Sequence, residues 1–176
     1  MQNNMLNLLR VRKSPGTNTE GILIADGRVM RCALGRSGIG IKRGEGDGIT
    51  PLGHHRLIEA YIRTDRVLVR ASHFPLSQIT DTDGWCDAVG DANYNRLVSL
   101  PYAASHERMK RDDHLYDVVV VMDHNVTQRM SVGGSAIFFH LAHDDYRPTE
   151  GCVAISRKDM LWLLPQIGPE TVMVVE

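Results

Sequence analysis

The residues best suited to chemistry lie in one window near the C-terminal end. His140 stands near the end of the apolar run Ser135–Leu141, Cys152 opens the run Cys152–Ile155, and eight residues, 141 to 148, separate His140 from Thr149. Two apolar strands joined by one surface loop would bring an imidazole toward a thiol. A free thiol, with pKa near ~8.5, is mostly protonated at neutral pH and is a poor nucleophile in that form. An adjacent imidazole can take the proton and later return it to a leaving amine. Gly151 leaves the backbone bare in front of the cysteine, so a substrate carbonyl can come close. The N–H groups of Gly151 and Val153 are the candidates to hold a developing oxyanion, where one donor stabilises the transition state by on the order of 3 kcal/mol. The imidazole also needs a partner on its second nitrogen, and a backbone carbonyl and a side chain both remain open. The plain alternative is a Gly-Cys at a strand start and a satisfied core histidine.

Two other groupings invite chemistry less well. His140, His143, Asp144, Asp145 and Cys152 are of ligand types that suit zinc, but residues 140 and 143 would face opposite sides of a continuing strand. There is no C-x-x-C or H-E-x-x-H, and the adjacent His54 and His55 also diverge on a strand. No metal site is expected from these groupings. The cysteines Cys32, Cys86 and Cys152 are odd in number, so a disulfide framework is not expected. Cys32, inside Val29–Leu34, reads as a buried apolar side chain. Cys86, beside Trp85 and Asp87, is the second candidate thiol. Trp85 either caps the core or stacks on a ligand.

The elements that must position the pair are mostly short strands. Residues 6–11, 21–24 and 28–34 read as a meander, with Asp26-Gly27 as a hairpin turn. Residues 35–53 hold seven glycines and read as a long loop or turn-rich edge. Strands are expected at 56–61, 66–69, 118–122, 135–141, 152–155 and 171–175. The stretch 72–115 reads as polar and irregular, with a short helix near 105–110. Ser156 to Asp159 is a capping-box pattern opening a helix over 160–167, which Pro165 would fray. Many strands, few helices and no β-α alternation predict a mostly β sandwich or barrel-like domain with one or two short helices.

The chain has 176 residues, 43% of them hydrophobic and 23% charged, which predicts one globular domain over 1–176. Twenty Lys and Arg against 21 Asp and Glu leave a net charge of −1, which argues against a phosphate-tracking nucleic-acid binder. No window approaches the ~18 apolar residues of a membrane span. Asn3, Asn4 and Asn7 interrupt the opening apolar residues and the positive charges follow them, so no secretory leader is visible. A cytoplasmic protein is expected if this start is native, a periplasmic one if a leader has been removed.

The His140 and Thr149-Glu150-Gly151-Cys152 window resembles the catalytic domain of L,D-transpeptidases, the YkuD type, whose motif is a His, a spacer and Ser/Thr-x-Gly-Cys. Lys42 to Gly53, KRGEGDGITPLG, resembles that family's E-G-D-x-x-T-P-x-G loop. Trp85-Cys86-Asp87, Tyr94-Asn95-Arg96, Ser105-His106-Glu107 and Leu115-Tyr116-Asp117 resemble segments of a compact subgroup, so the likeness spans about residues 20 to 176. It implies a mostly β YkuD-like fold, Cys152 as nucleophile and His140 as base, without a cofactor. The implied substrates are peptidoglycan stem peptides or muropeptides, and carbapenem-type β-lactams are implied inhibitors. Cleavage would fall before a terminal D-Ala, through a thioester. An amine acceptor would then give a cross-link, and water an L,D-carboxypeptidase.

The sequence departs from the family pattern in three places. The spacer is short, Glu150 stands where a second His is usual, and Val153-Ala154 follow the cysteine where an Arg or Asn is common. Glu150 either receives the amino end of a diamino acid or pairs with an arginine such as Arg147. Arg43, Tyr116, Glu150 and Thr149 are the candidate substrate-binding residues. A non-catalytic peptide-binding module on the same fold is the alternative. A papain-like protease fits poorly, because there the cysteine precedes the histidine and starts a helix.

Overall fold

The computed structural model describes residues 5–69 and 72–176; residues 1–4, part of the opening read for a leader, lie outside them. The N-terminal meander forms as expected: β1 (Leu8–Lys13), β2 (Glu20–Ala25) and β3 (Arg28–Ala33) pair antiparallel. Asp26 and Gly27 turn the β2–β3 hairpin with φ of 45° and 75°, the left-handed pair that suits a two-residue loop. The glycine-rich segment 35–53 is a turn-rich edge carrying two short parallel strands, β4 (Ile39–Gly40) and β5 (Thr50–Pro51). Next come β6 (Gly53–Ile62), β7 (Leu76–Gln78), β8 (Asp83–Cys86), β9 (Leu97–Ser99) and β10 (His106–Arg108). The last strands are β11 (Val118–Met122), β12 (Phe138–Leu141), β13 (Val153–Ile155) and β14 (Val172–Val175).

Nine strands form one sheet in the order β11-β12-β13-β3-β2-β1-β14-β6-β7, and β6 also pairs with β11. That extra pairing joins the first strand of the row back to the eighth, so the sheet closes into a barrel. Period-two alternation fills the interior from almost every strand: Leu9 and Val11, Val118 and Val120, Phe139 and Leu141, Val153 and Ile155, Met173 and Val175. The helix α1 (Arg157–Leu163) is opened by Ser156, whose Oγ accepts from the Asp159 N–H. A 3-10 turn over Leu164–Gln166 carries Pro165 and ends the helical segment. Met160, Leu163, Leu164 and Ile167 add to the inner core.

The outer face of β11 and β12 is covered as well. The small sheet β10-β8-β9 brings Trp85 and Met109 onto Val119, Val121 and Phe138. A strand buried on both faces reads as a continuous apolar run, which is why β11 is VVVVM. This second layer is where expectation and structure part. Residues 106–108 form a strand on β8 rather than a helix, and the region expected to be irregular supplies a sheet. Residues 66–69 do not form a strand; Arg66 and Val67 both turn their N–H groups onto the Arg63 carbonyl.

Phe139, fully buried, is the largest inward side chain of β12, while its neighbours Phe138 and His140 face outward. Phe139→Ala is expected to lower the unfolding free energy by about 3–5 kcal/mol in urea titrations, through a cavity the closed sheet cannot collapse.

Candidate active site

β12 and β13 run parallel, with Phe139 opposite Val153 and His140 opposite Ala154. Cys152 therefore sits one residue before the paired stretch, opposite Phe138, and His140 is two residues further along the same face. Strand spacing and rise place such diagonal neighbours ~8 Å apart at Cα, with both side chains directed to one side. His140 is 5% exposed and Cys152 7%, yet both line one cavity of about 650 Å³. The sheet thus brings together the two residues singled out by their types and spacing.

Each is oriented by backbone. The His140 Nδ1 lies 2.8 Å from the Leu141 carbonyl oxygen. A carbonyl only accepts, so Nδ1 carries the proton and Nε2 is the free lone pair. The open question of the second nitrogen is settled as a backbone carbonyl. The Cys152 thiol donates to the Ala136 carbonyl at 3.3 Å and accepts the Phe138 N–H at 3.3 Å. Ala136 has φ of 52°, a left-handed conformation costing an L-residue on the order of 1 kcal/mol. Asn95, itself buried, holds it there: its Oδ1 accepts from the Ala136 N–H and from the Trp85 indole.

The electrostatics favour an uncharged pair. Burial pushes the Cys152 thiol up to about 12, opposed by the Phe138 N–H and by the Lys42 ammonium. Burial pulls the His140 imidazole down to about 4, opposed by the Leu141 carbonyl. Burial thus favours the neutral thiol and the neutral imidazole at neutral pH, the latter with its Nε2 lone pair free.

The turn before the cysteine is built by Thr149. Its hydroxyl donates to the Cys152 carbonyl at 2.7 Å and accepts the Gly151 N–H at 3.1 Å. Gly151 has φ of 136°, and a Cβ there would lie 2.8 Å from the Ile49 carbonyl oxygen, so only glycine fits. Of the two residues expected to face an oxyanion, Gly151 directs its N–H to Thr149 and Val153 is fully buried in β13. Thr149 lines the cavity, but its hydroxyl shapes the turn before Cys152.

Tyr116 also lines the cavity. Its hydroxyl donates to Glu107 at 2.6 Å and its ring meets the His140 ring edge-on, with centroids 5.2 Å apart. Burial raises the Glu107 carboxyl, and the Asp87 and Glu45 charges add to that; Tyr116 and Arg111 oppose it. Glu150 sits at the rim with a side chain 75% exposed and pairs with Arg36 at 2.9 Å, not with Arg147. Arg43 is exposed and does not line the cavity; its backbone N–H caps Asp47. Its neighbour Lys42 is the loop's cavity residue, its side chain 4% exposed and paired with Asp47 at 2.6 Å.

Trp85 belongs to the core, packed edge-on against Phe138. Cys32 and Cys86 are buried, and burial raises both thiols. Among the described residues no group of three or more His, Cys, Asp or Glu is placed to hold a metal ion, and no helix is long and apolar enough to cross a membrane. Among the cavity residues Arg111 was not singled out by the sequence, and Lys42, Glu45, Asp87 and Ser135 were visible only as members of longer segments. Glu107 was visible only as part of the Ser105-His106-Glu107 motif.

Among solved structures the chain is similar to a crystal structure of Mycobacterium tuberculosis L,D-transpeptidase 1, at 13% identity and a TM-score of 0.42. That similarity covers 98% of this chain and 62% of the other, so this chain spans less than two thirds of that one's length. No curated protein matches. Residues 17–175 match the L,D-transpeptidase catalytic domain, YkuD, which takes in nearly the whole mostly β barrel and its Cys-His cavity; the chain belongs to that family.

Proposed function

We propose that the protein is a cysteine acyltransferase acting on peptidoglycan stem peptides, with Cys152 as nucleophile and His140 as base. The observation that carries this reading is the shared cavity face of β12 and β13, on which a thiol lies beside an imidazole whose Nδ1 proton is fixed on the Leu141 carbonyl. Nε2 takes the thiol proton as sulfur attacks the carbonyl carbon of the stem's third residue. The tetrahedral adduct collapses by breaking the C–N bond to the terminal D-Ala. The imidazolium returns its proton to that nitrogen, leaving a thioester. An incoming amine or water then attacks the thioester, gives its proton to Nε2, and the released sulfur is reprotonated. An amine yields a cross-link and water yields a trimmed tripeptide. The Phe138 N–H, already directed at the sulfur, stabilises the charge that builds there when the proton leaves.

The test is D-Ala release from a disaccharide-tetrapeptide by the purified protein, with intact-mass detection of a carbapenem adduct on Cys152. Release together with the adduct supports the reading. Binding of the muropeptide with neither release nor adduct would make the protein a peptide-binding module on this fold. Product analysis with a second stem present, dimer against tripeptide, separates transfer from hydrolysis.

A further inference from the structure

The cavity is lined by carboxylates that its cations do not fully pair. Glu45, Asp87 and Glu107 all line it. Glu45 is held by the Tyr94 hydroxyl and Glu107 by that of Tyr116. The Arg111 guanidinium stands 3.8 Å from Glu107 while it grips Asp113 at 2.7 Å, and the Lys42 ammonium is paired with Asp47. Among the described residues neither Glu45 nor Asp87 forms an ion pair, and Glu107 shares Arg111 with Asp113.

Two oxygens of residues that line the cavity are buried without any hydrogen-bond partner: Ser135 Oγ, in a residue 5% exposed, and Asp87 Oδ1. Native proteins rarely leave buried polar atoms unpaired, and those at a cavity edge mark what a ligand completes. Surplus negative charge with unpaired acceptors calls for a cation with several N–H donors, and a primary ammonium has three. The chemistry is not that of a metal site, because no three of these groups are placed to hold an ion. Ser135 precedes Ala136, whose carbonyl accepts the Cys152 thiol, so a cation held here lies beside the nucleophile. Arg147, which also lines the cavity, has His143 as its side-chain partner.

We propose that Asp87, Glu107 and Ser135 form a receptor for a primary ammonium carried by the peptide that reacts at Cys152. The inference rests on the acyl-transfer reading for its ligand class. The ammonium belongs either to the side chain of the acyl donor or to the acceptor amine, and the test has an arm for each. Binding is measured by calorimetry on the Cys152→Ala protein, so no turnover is needed. In the first arm the ligand is a tetrapeptide with lysine third, against the same peptide Nε-acetylated. Acetylation is expected to weaken Kd by about 10- to 100-fold, as for loss of a charge-assisted hydrogen-bond set. Adding Asp87→Asn or Ser135→Ala should reduce that contrast to less than about threefold. In the second arm a tripeptide carrying the acceptor amine is compared with its N-acetyl form in the same proteins. A contrast in either arm that Asp87→Asn erases supports the receptor and identifies its source. Equal binding of free and acetylated ligands in both arms overturns it. Absence of D-Ala release by the unmodified protein while the contrast persists would instead remove the reaction and leave the receptor standing.

Discussion

Replacing Cys152 by alanine is expected to remove D-Ala release by on the order of 10⁴- to 10⁶-fold, the range for deleting a covalent nucleophile. No other thiol can stand in. Cys32 lies in the inner core with no exposure, and Cys86, in β8 of the outer sheet, also has no exposure and does not line the cavity. The variant keeps its fold, because the sulfur's two hydrogen bonds are long and the turn that presents it is tied by Thr149. Thermal melts within a few degrees of the parent, no D-Ala above background and no carbapenem adduct are the expected results. Cys152→Ser should fall nearly as far, since a serine hydroxyl resists deprotonation in this site more than the thiol does. Undiminished D-Ala release from the alanine variant would place the nucleophile elsewhere and end the assignment.

What could be read beforehand follows the range over which each signal acts. The strands carrying the pair were legible because Val118–Met122, Phe138–Leu141 and Val153–Ile155 are buried on both faces, and their apolar runs need no knowledge of partners. The Ser156 cap was legible because its bond to Asp159 closes within three residues. β10 was not: His106–Arg108 is short, partly exposed and held by pairing with Cys86, Trp85 and Gly84, so nothing local distinguishes it from a helix. At the site, His140 and Cys152 announced themselves by type, and the glycine before the cysteine by its bare backbone. The Leu141 carbonyl did not, because any residue supplies the same atom. Arg43 attracted attention as a cation, yet it is Lys42 that lines the cavity. The convergence of Glu45, Asp87, Glu107 and Ser135 on one cavity was not legible, because they come from four separate segments that only the finished barrel and its outer layer bring together.

The base makes the sharper prediction, because its effect and its pH signature come from the same burial. With the Cys152 thiol near 12, only about one molecule in 10⁵ carries an unaided thiolate at pH 7. The reaction therefore depends on proton removal during attack. His140→Gln keeps an uncharged polar side chain of similar size but no base, and kcat/KM should fall by about 10²- to 10⁴-fold. The sign of the pH dependence follows from which form works. On the proposed reading neutral imidazole is the active base, and protonation would silence it. Burial sets that protonation near pH 4 rather than in the ordinary imidazole range, so activity present at pH 7 should persist as pH falls through 6.5 and be lost only toward 4. In His140→Gln that acid limb should vanish, and the residual rate should climb steadily above pH 8 as free thiolate accumulates. A wild-type acid limb centred near 6.5 would mean that the imidazole is solvated in the working enzyme. A variant with an unchanged limb would show that a different group removes the proton.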